Sequence, residues 1–274
     1  MNDFATRRSW GPKPNYPTVA AVPKQDWPLI VIAGPCSVES HEQIDVIVPV
    51  LRSVGATYCR GGLFRAGTYP PPQGVFGLKR DLMEHWAQAV RQAGLKTIIE
   101  VLDIRQLDDL WPYADAFQVG ARQMQNYSLL DELSKSSKVV TLKRNMGATL
   151  DEWLGAAEYL ARGSAKPILV ERGGSSFLNH TRWELSVSII PAAKSITGLP
   201  VLCDSSHGSG RRDLVEPLTL AAIAAGADGF IIEVHPDPEK SLSDADQATP
   251  LERLQTIVER AAVLHTLTKK WRTS

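Results

Sequence analysis

The sequence predicts an α/β protein, a single-domain (β/α)8 TIM barrel with a short N-terminal extension. Three observations predict this fold. The chain has 274 residues, which suits one barrel of roughly 250 residues. From Leu29 onward, eight short apolar runs alternate with longer amphipathic stretches, a pattern typical of repeated βα units on a parallel sheet. No glycine-rich dinucleotide-binding motif follows the first run, which disfavours a doubly wound sheet.

The elements follow in order along the chain. Residues 1–27 are rich in proline and polar groups and lack periodicity, so we expect an arm there and a barrel domain over residues 28–274. Amphipathic stretches predict helices at Leu78–Ala93, Leu150–Ala161 and Asp213–Ala225, and Thr149 fits the N-cap of the second. The predicted strands share the length and apolar character of buried parallel strands: Leu29–Gly34, Thr57–Gly62, Lys96–Val101, Ala116–Gly120, Val139–Arg144, Pro167–Gly173, Pro200–Ser205 and Gly229–His235.

Composition narrows the class of protein. Thirty basic side chains balance thirty acidic ones, so no overall field favours nucleic acid or an anionic membrane as a partner. Cys36, Cys59 and Cys203 are too few for a disulfide framework, which favours a reducing compartment, and we expect the cytoplasm. No signal peptide and no transmembrane run of about 18 residues is expected.

Polar residues collect where the predicted strands end, which is where barrel enzymes place their active sites. Cations from four strands suit a ligand with several negative charges, although each one alone could instead form an ion pair with Glu100 or Glu171. These cations are Arg60, Arg122, Lys143 and Arg172.

A second set at the strand ends consists of possible metal ligands, namely Cys36, His207 and Glu233, with Asp244 as a fourth in the loop after the last strand. A thiolate, an imidazole and carboxylates suit manganese, iron, cobalt or zinc better than magnesium or calcium. Taken alone, Cys36 is more often a buried apolar residue. We expect His235 to lock the turn before Pro236, with contact to the metal environment as the lesser alternative.

Several motifs resemble one known family. They are Ala33-Gly34-Pro35-Cys36-Ser37, Arg60-Gly61-Gly62, Val119-Gly120-Ala121-Arg122, Leu142-Lys143-Arg144, Glu171-Arg172-Gly173, Asp204 to Gly210, Glu233-Val234-His235-Pro236 and Leu242-Ser243-Asp244. From about Ile30 to Gln247 the chain is similar to the 3-deoxy-heptulosonate 7-phosphate (DAHP) synthases of the compact type Iβ, which are themselves similar to 3-deoxy-octulosonate 8-phosphate synthases.

The resemblance implies a metal-dependent transferase of the shikimate pathway, which leads to the aromatic amino acids. Its substrates would be phosphoenolpyruvate and erythrose 4-phosphate, joined by an aldol-like condensation that releases phosphate by C–O cleavage. Cys36 is informative because metal-independent octulosonate enzymes carry asparagine there. A homodimer or homotetramer is also implied.

The resemblance assigns roles residue by residue. The metal ligands would be Cys36, His207, Glu233 and Asp244; the phosphoenolpyruvate-binding residues Arg60, Arg122, Lys143 and Arg172; the catalytic residues Lys143, Glu100, His207 and Cys36; and the acceptor-binding residues Arg65, Thr68, Ser37 and Asp204.

The sequence departs from the family in the loop after the second strand. The family reads Lys-Pro-Arg-Thr-Ser-Pro, whereas this chain reads Arg65-Ala66-Gly67-Thr68-Tyr69-Pro70. The arginine that would hold the aldehyde's phosphate is thus replaced by Gly67, and Ser205 stands where the family has proline. Two alternatives therefore stay open: a variant synthase of a specialised pathway with a different aldehyde acceptor, and a non-catalytic barrel that serves as a scaffold.

Overall fold

The computed structural model describes residues 16–62 and 80–273 and confirms the predicted barrel. Eight parallel strands pair in chain order, and β1 also pairs with β8, so that the sheet closes on itself. Their bounds are β1 Ile30–Gly34, β2 Tyr58–Gly61, β3 Lys96–Val101, β4 Ala116–Val119, β5 Val139–Lys143, β6 Lys166–Glu171, β7 Val201–Asp204 and β8 Gly229–His235; a two-residue strand, β9 Thr249–Pro250, pairs with the end of β8.

Helices cover the outside of the barrel. The described ones are α1 Pro17–Ala21, α2 His41–Ser53, α3 Arg80–Gln92, α4 Leu107–Leu110, α5 Tyr127–Ser134, α6 Leu150–Ala161, α7 Ile189–Ile196, α8 Ser205–Ser209, α9 Arg212–Ala225 and α10 Leu251–Thr273. The predicted α6 has the observed bounds because Thr149 and Glu152 form a capping box at its start, which satisfies two backbone N–H groups of the first turn. Within the described residues, no helix combines the length and apolar character needed to cross a bilayer.

Five strands end one or two residues earlier than predicted, at their carboxyl ends. The clearest case is Ser205, which was expected in a strand but begins the short helix α8. Asp204 caps this helix by accepting a hydrogen bond from the His207 backbone N–H, and Gly210 ends it in the left-handed conformation at φ 68°. The residues removed from the strands are therefore those that build the loops of the site.

The core has two parts, separated by the wall of the barrel. Alternate side chains of each strand point outward to the helices or inward to the lumen. Cys59 and Cys203 are fully buried on the outer side, which confirms their predicted place in the core. The lumen is filled by a smaller cluster: Ile30, Ile32, Tyr58, Ile98, Ala116, Ile168, Val170, Leu202 and Ile231.

The described part of the predicted arm lies against the barrel. Val19 on α1 is fully buried, and the Glu158 carboxylate on α6 accepts hydrogen bonds from the backbone N–H groups of Thr18 and Val19 at 2.9 to 3.1 Å. A carboxylate at these N–H groups stabilises the start of a helix. The division into arm and barrel domain stays a prediction.

Candidate active site

The structure brings four predicted ligand groups together at the carboxyl ends of the strands. One ligand atom from each of Cys36, His207, Glu233 and Asp244 lies within 4.8 Å of the other three. The Cys36 Sγ is 3.2 Å from Asp244 Oδ2 and 4.0 Å from His207 Nε2, and His207 Nε2 is 3.8 Å from Glu233 Oε2. Groups up to 208 positions apart in the chain thus form one cluster that could hold a metal ion.

The electrostatics of this cluster fit a cation. Burial, and then the nearby Glu233 carboxylate, raise the pKa of the Cys36 thiol well above its ordinary value. Burial likewise raises the pKa of Glu233 to about 8, although Arg60 opposes the shift. Acidic groups that are buried close to one another resist ionisation. A bound divalent ion opposes this effect because it favours the thiolate and carboxylate forms.

His207 is oriented by Asp204. Its Nδ1 lies 2.9 Å from Asp204 Oδ2, while its backbone N–H donates to Asp204 Oδ1 at 3.0 Å. Burial lowers the pKa of His207 to about 4, so that the imidazole is neutral near pH 7. A hydrogen bond at Nδ1 leaves Nε2 directed at the cluster with a lone pair, the arrangement of a metal-binding histidine.

Asp204 also joins the cluster to Lys143. Its carboxylate is wholly buried and lies 2.6 Å from Lys143 Nζ. Burial alone would raise the pKa of Asp204, but His207 and Lys143 hold it well below the ordinary value. The residue that was expected to bind the acceptor thus contacts a predicted metal ligand and a predicted substrate ligand.

Two buried arginines face this arrangement without a carboxylate of their own among the described residues. Arg60 has Nη2 3.7 Å from Cys36 Sγ, while its buried Nη1 finds no hydrogen-bond partner in the described chain. Arg172 makes a cation–π contact with Trp183, its guanidinium carbon lying 5.3 Å from the ring centroid, and donates from Nη2 to the His207 carbonyl at 3.3 Å. Since buried donors are nearly always paired, the Arg60 guanidinium is placed to receive an anion.

Glu171, one of the two possible ion-pair partners of the predicted cations, pairs instead with Arg144. The buried Glu171 carboxylate pairs with Arg144, at 2.5 and 2.9 Å, and accepts the backbone N–H groups of Gly173 and Ser186. Burial lowers the pKa of Arg172 to about 10, with Arg122 among the lesser causes. Arg122, which is exposed, therefore lies near Arg172.

Glu100 stands at the end of β3 beside Gly120. A Cβ at position 120 would lie 2.2 Å from Glu100 Oε1, far inside van der Waals contact. The glycine thus leaves room for the carboxylate, which is half-buried.

The loop that carries Asp244 is held from two sides. Asp244 has a φ of 53°, which is uncommon for a residue other than glycine. Arg212 at the start of α9 donates from its backbone N–H to the Asp246 carbonyl at 2.9 Å and from Nη2 to the Ala245 carbonyl at 2.7 Å. On the other side, Ser243 Oγ donates to Ser37 Oγ at 3.1 Å.

Glu39 also holds the loop that carries Asp244, on the same side as Ser37. Its Oε1 accepts the Leu242 backbone N–H at 3.0 Å, and its Oε2 lies 3.3 Å from His235 Nε2. The other imidazole nitrogen, Nδ1, accepts the Asp237 backbone N–H at 3.0 Å. The prediction that His235 locks this turn is confirmed.

Sequence reasoning missed two residues beside the cluster. Gln247 donates from Nε2 to Glu233 Oε2 at 2.9 Å, and Arg182 Nη1 lies 3.7 Å from Asp244 Oδ1. Neither follows a strand directly, so the strand-end rule gave no signal for them. Arg65 and Thr68, predicted to bind the acceptor, lie outside the described residues.

Comparisons with known proteins find relatives among two kinds of aldolase. Residues 20–270 match the model of the DAHP synthetase I family. The phospho-2-dehydro-3-deoxyheptonate aldolase of Thermotoga maritima is 41% identical over 230 residues, which are 84% of this chain and 68% of that protein. A 2-dehydro-3-deoxyphosphooctonate aldolase from Desulfotalea psychrophila is 29% identical over 85% of this chain and 88% of its own.

Solved structures give the same result. The crystal structure of the Thermotoga maritima DAHP synthase superposes with a TM-score of 0.81 at 39% identity, covering 87% of this chain and 70% of that one. A truncated form of the 3-deoxy-D-arabino-heptulosonate 7-phosphate synthase from the same organism gives a TM-score of 0.79 at 38% identity and covers 87% of both chains.

Proposed function

The chain belongs to the DAHP synthetase I family, and we propose that it is the transferase that joins phosphoenolpyruvate to erythrose 4-phosphate, with release of phosphate. The observation that carries this function is the cluster of Cys36, His207, Glu233 and Asp244 beside the buried guanidinium of Arg60, whose Nη1 has no hydrogen-bond partner among the described residues. A cation site next to a buried cationic pocket suits a reaction between an enol phosphate and an aldehyde.

The four clustered residues would hold the divalent ion, with manganese, iron, cobalt and zinc as the candidates that a mixed thiolate, imidazole and carboxylate set favours. When bound, the ion supplies Lewis acid stabilisation of the oxygen charge that develops on the aldehyde. Asp204 keeps the His207 imidazole in the tautomer that presents Nε2, and Gln247 fixes the Glu233 carboxylate.

Arg60, Lys143 and Arg172 would bind phosphoenolpyruvate, with Arg122 at the exposed edge. A guanidinium matches carboxylate and phosphate groups with two parallel hydrogen bonds, and the cation–π contact with Trp183 helps to position Arg172. These groups lie in a site already withdrawn from water, since Arg60 and Lys143 are 3% and 4% exposed. They hold the enol carbon in attack geometry, which is a large part of catalysis for a reaction between two substrates.

Glu100 would lie near the reacting end of phosphoenolpyruvate. Its carboxylate lies beside Gly120 and acts on the Arg60 guanidinium. Burial would lower the pKa of Arg60, but the acidic groups around it, with Glu100 among the weaker ones, raise it. A carboxylate there can accept or hold a proton while water adds to the substrate.

A second candidate shares the site but takes a different aldehyde, and Gly67 favours it. Loss of the family arginine removes charge-assisted hydrogen bonds to the acceptor's phosphate worth about 1.5–3 kcal/mol if buried. Arg65 keeps the positive charge of the family lysine in that loop, while Gly67 supplies no guanidinium at the position of the family arginine. We further propose a homodimer or homotetramer, which size-exclusion chromatography with light scattering tests.

The experiment is phosphate release from phosphoenolpyruvate with a panel of aldehydes that includes erythrose 4-phosphate and arabinose 5-phosphate, with and without a chelator. We expect chelator-sensitive release, fastest with erythrose 4-phosphate. Faster release with another aldehyde would support the second candidate, and no release with any of them would reject both.

Cys36→Ala separates an enzyme from a scaffold. This change removes one of the four clustered groups, so it should abolish both bound metal and turnover. Cys203→Ala is the matched control, because Cys203 is buried in the outer core and its loss should leave metal content unchanged. Full turnover by the Cys36→Ala protein would exclude the proposed metal site.

A further inference from the structure

The opposite end of the barrel has an open cavity of about 540 Å³. It opens at the amino ends of the strands, away from the clustered ligands. The residues that matter for its chemistry are Tyr58, Arg91, Lys96, Asp115, Lys138 and Lys166. Nothing in the proposed reaction uses this end of the molecule.

Strand alternation directs two of the lysines at the lumen. Lys96 precedes Ile98 by two positions on β3, and Lys166 precedes Ile168 by two positions on β6, and both isoleucines belong to the lumen cluster. Residues two apart on a strand share a face, so both lysines lie on the inward-facing side at the open end of the barrel. Tyr58 is the register partner of Lys96, and its ring centroid is 5.9 Å from Lys96 Nζ.

The cavity has an excess of positive charge. It is lined by four cations and one carboxylate, and that carboxylate, Asp115, already pairs with Arg91 at 3.0 Å. Lys138 is held by the Ala114 carbonyl at 2.5 Å. Lys96 and Lys166 form no ion pair with any described residue, which leaves their charge available to an anion.

Tyr58 adds a directed hydroxyl group. The residue is only 6% exposed, it lines the cavity, and its hydroxyl has no hydrogen-bond partner among the described residues. Burial, and then Asp115, raise the pKa of Tyr58, so the hydroxyl stays protonated and can donate a hydrogen bond to an anion in the cavity.

We propose that Tyr58, Lys96 and Lys166 form a binding site for a small phosphate-bearing anion at the amino-terminal end of the barrel. Ammonium groups bind phosphate as point charges that need no fixed fork geometry, and two of them with one hydroxyl donor match a dianionic phosphate group. The site is separate from the proposed catalytic pocket, and it could take inorganic phosphate, pyrophosphate or a phosphate ester.

The test must locate the anion, because the proposed catalytic pocket should bind phosphate as well. The protein is treated with an amine-acylating reagent, and the modification of each lysine is followed by mass spectrometry with inorganic phosphate, pyrophosphate, adenosine monophosphate or citrate present. We expect protection of Lys96 and Lys166 by at least one phosphate compound, with Lys135 and Lys240, which are exposed and paired with carboxylates, unchanged. The compound that protects best identifies the source.

Variants then measure the contribution of each group. The Lys96→Ala/Lys166→Ala protein should lose roughly tenfold or more in affinity for the protecting compound at this site, and Tyr58→Phe should show a smaller loss. The matched control is Lys135→Ala/Lys240→Ala, which removes the same charge elsewhere and should bind normally. Equal protection of all four lysines, protection by citrate as strong as by phosphates, or no protection of Lys96 and Lys166 would overturn the proposal.

Discussion

Asp204→Asn is the change that most directly tests how the site is held together. The substitution keeps the shape of the side chain and removes its negative charge. In the structure that charge lies 2.6 Å from Lys143 Nζ and 2.9 Å from His207 Nδ1, and all three side chains are largely or wholly buried. The same carboxylate therefore serves both the stability of the barrel and the orientation of the proposed ligand.

Two magnitudes follow from this geometry. Lys143, with a side chain 5% exposed, would be left as a buried charge without its carboxylate, and breaking a buried ion pair on one side costs about 3–5 kcal/mol of the free energy of unfolding. Metal affinity should fall about 10–100-fold, which is typical when the group that orients a ligand histidine is lost. The neutral amide can still accept the His207 backbone N–H, so α8 should keep its cap.

Urea unfolding of the metal-free protein and competitive metal titration against a chelating dye measure the two effects separately. Asp228→Asn is the matched control, because Asp228 is a buried aspartate that pairs with Lys194 and accepts the Val201 backbone N–H away from the clustered ligands. It should lose stability and keep its metal affinity. If Asp204→Asn costs less than about 1 kcal/mol, or if both variants bind metal as the unchanged protein does, the reasoning about Asp204 is wrong.

Three further predictions concern the surroundings of the site. Hydrogen bonds from the Thr18 side chain and from the backbone of Val19 and Thr18 outweigh burial and lower the pKa of Glu158. Docking of α1 should therefore be complete above the ordinary carboxyl pKa and weaken as the pH falls through the lowered one. Hydrogen exchange of residues 17–21 should show this, and Glu158→Gln should dock α1 weakly at every pH. Arg212→Ala should reduce metal affinity about tenfold, because it removes the side-chain hydrogen bond to the Ala245 carbonyl and so loosens the Asp244 loop. Combining it with Asp244→Ala should add no further loss, and additive losses would show that Arg212 does not act through Asp244. Gly120→Ala should displace the Glu100 carboxylate and lower kcat with little change in metal content, whereas normal turnover would show that Glu100 has no role.

The sequence predicted the barrel because its signals are local and repeated. Each β strand is a short apolar run, and each helix is amphipathic, so the βα rhythm is visible without knowledge of tertiary contacts. Strand ends were less well predicted, as at Ser205, because whether the backbone continues in the sheet depends on neighbouring strands and on caps such as that made by Asp204.

The residue types at the strand ends also predicted which groups should meet, since all parallel strands of a barrel end at the same face. The sequence by itself thus determined the fold and the clustering of Cys36 with Glu233. Only the tertiary structure decided which neighbours orient them. Asp204, which the resemblance assigns to acceptor binding, contacts His207 and Lys143, and Gln247 contacts Glu233 from a loop. The physical reason is that such contacts depend on loop geometry and side-chain direction between segments distant in sequence, which no periodicity encodes.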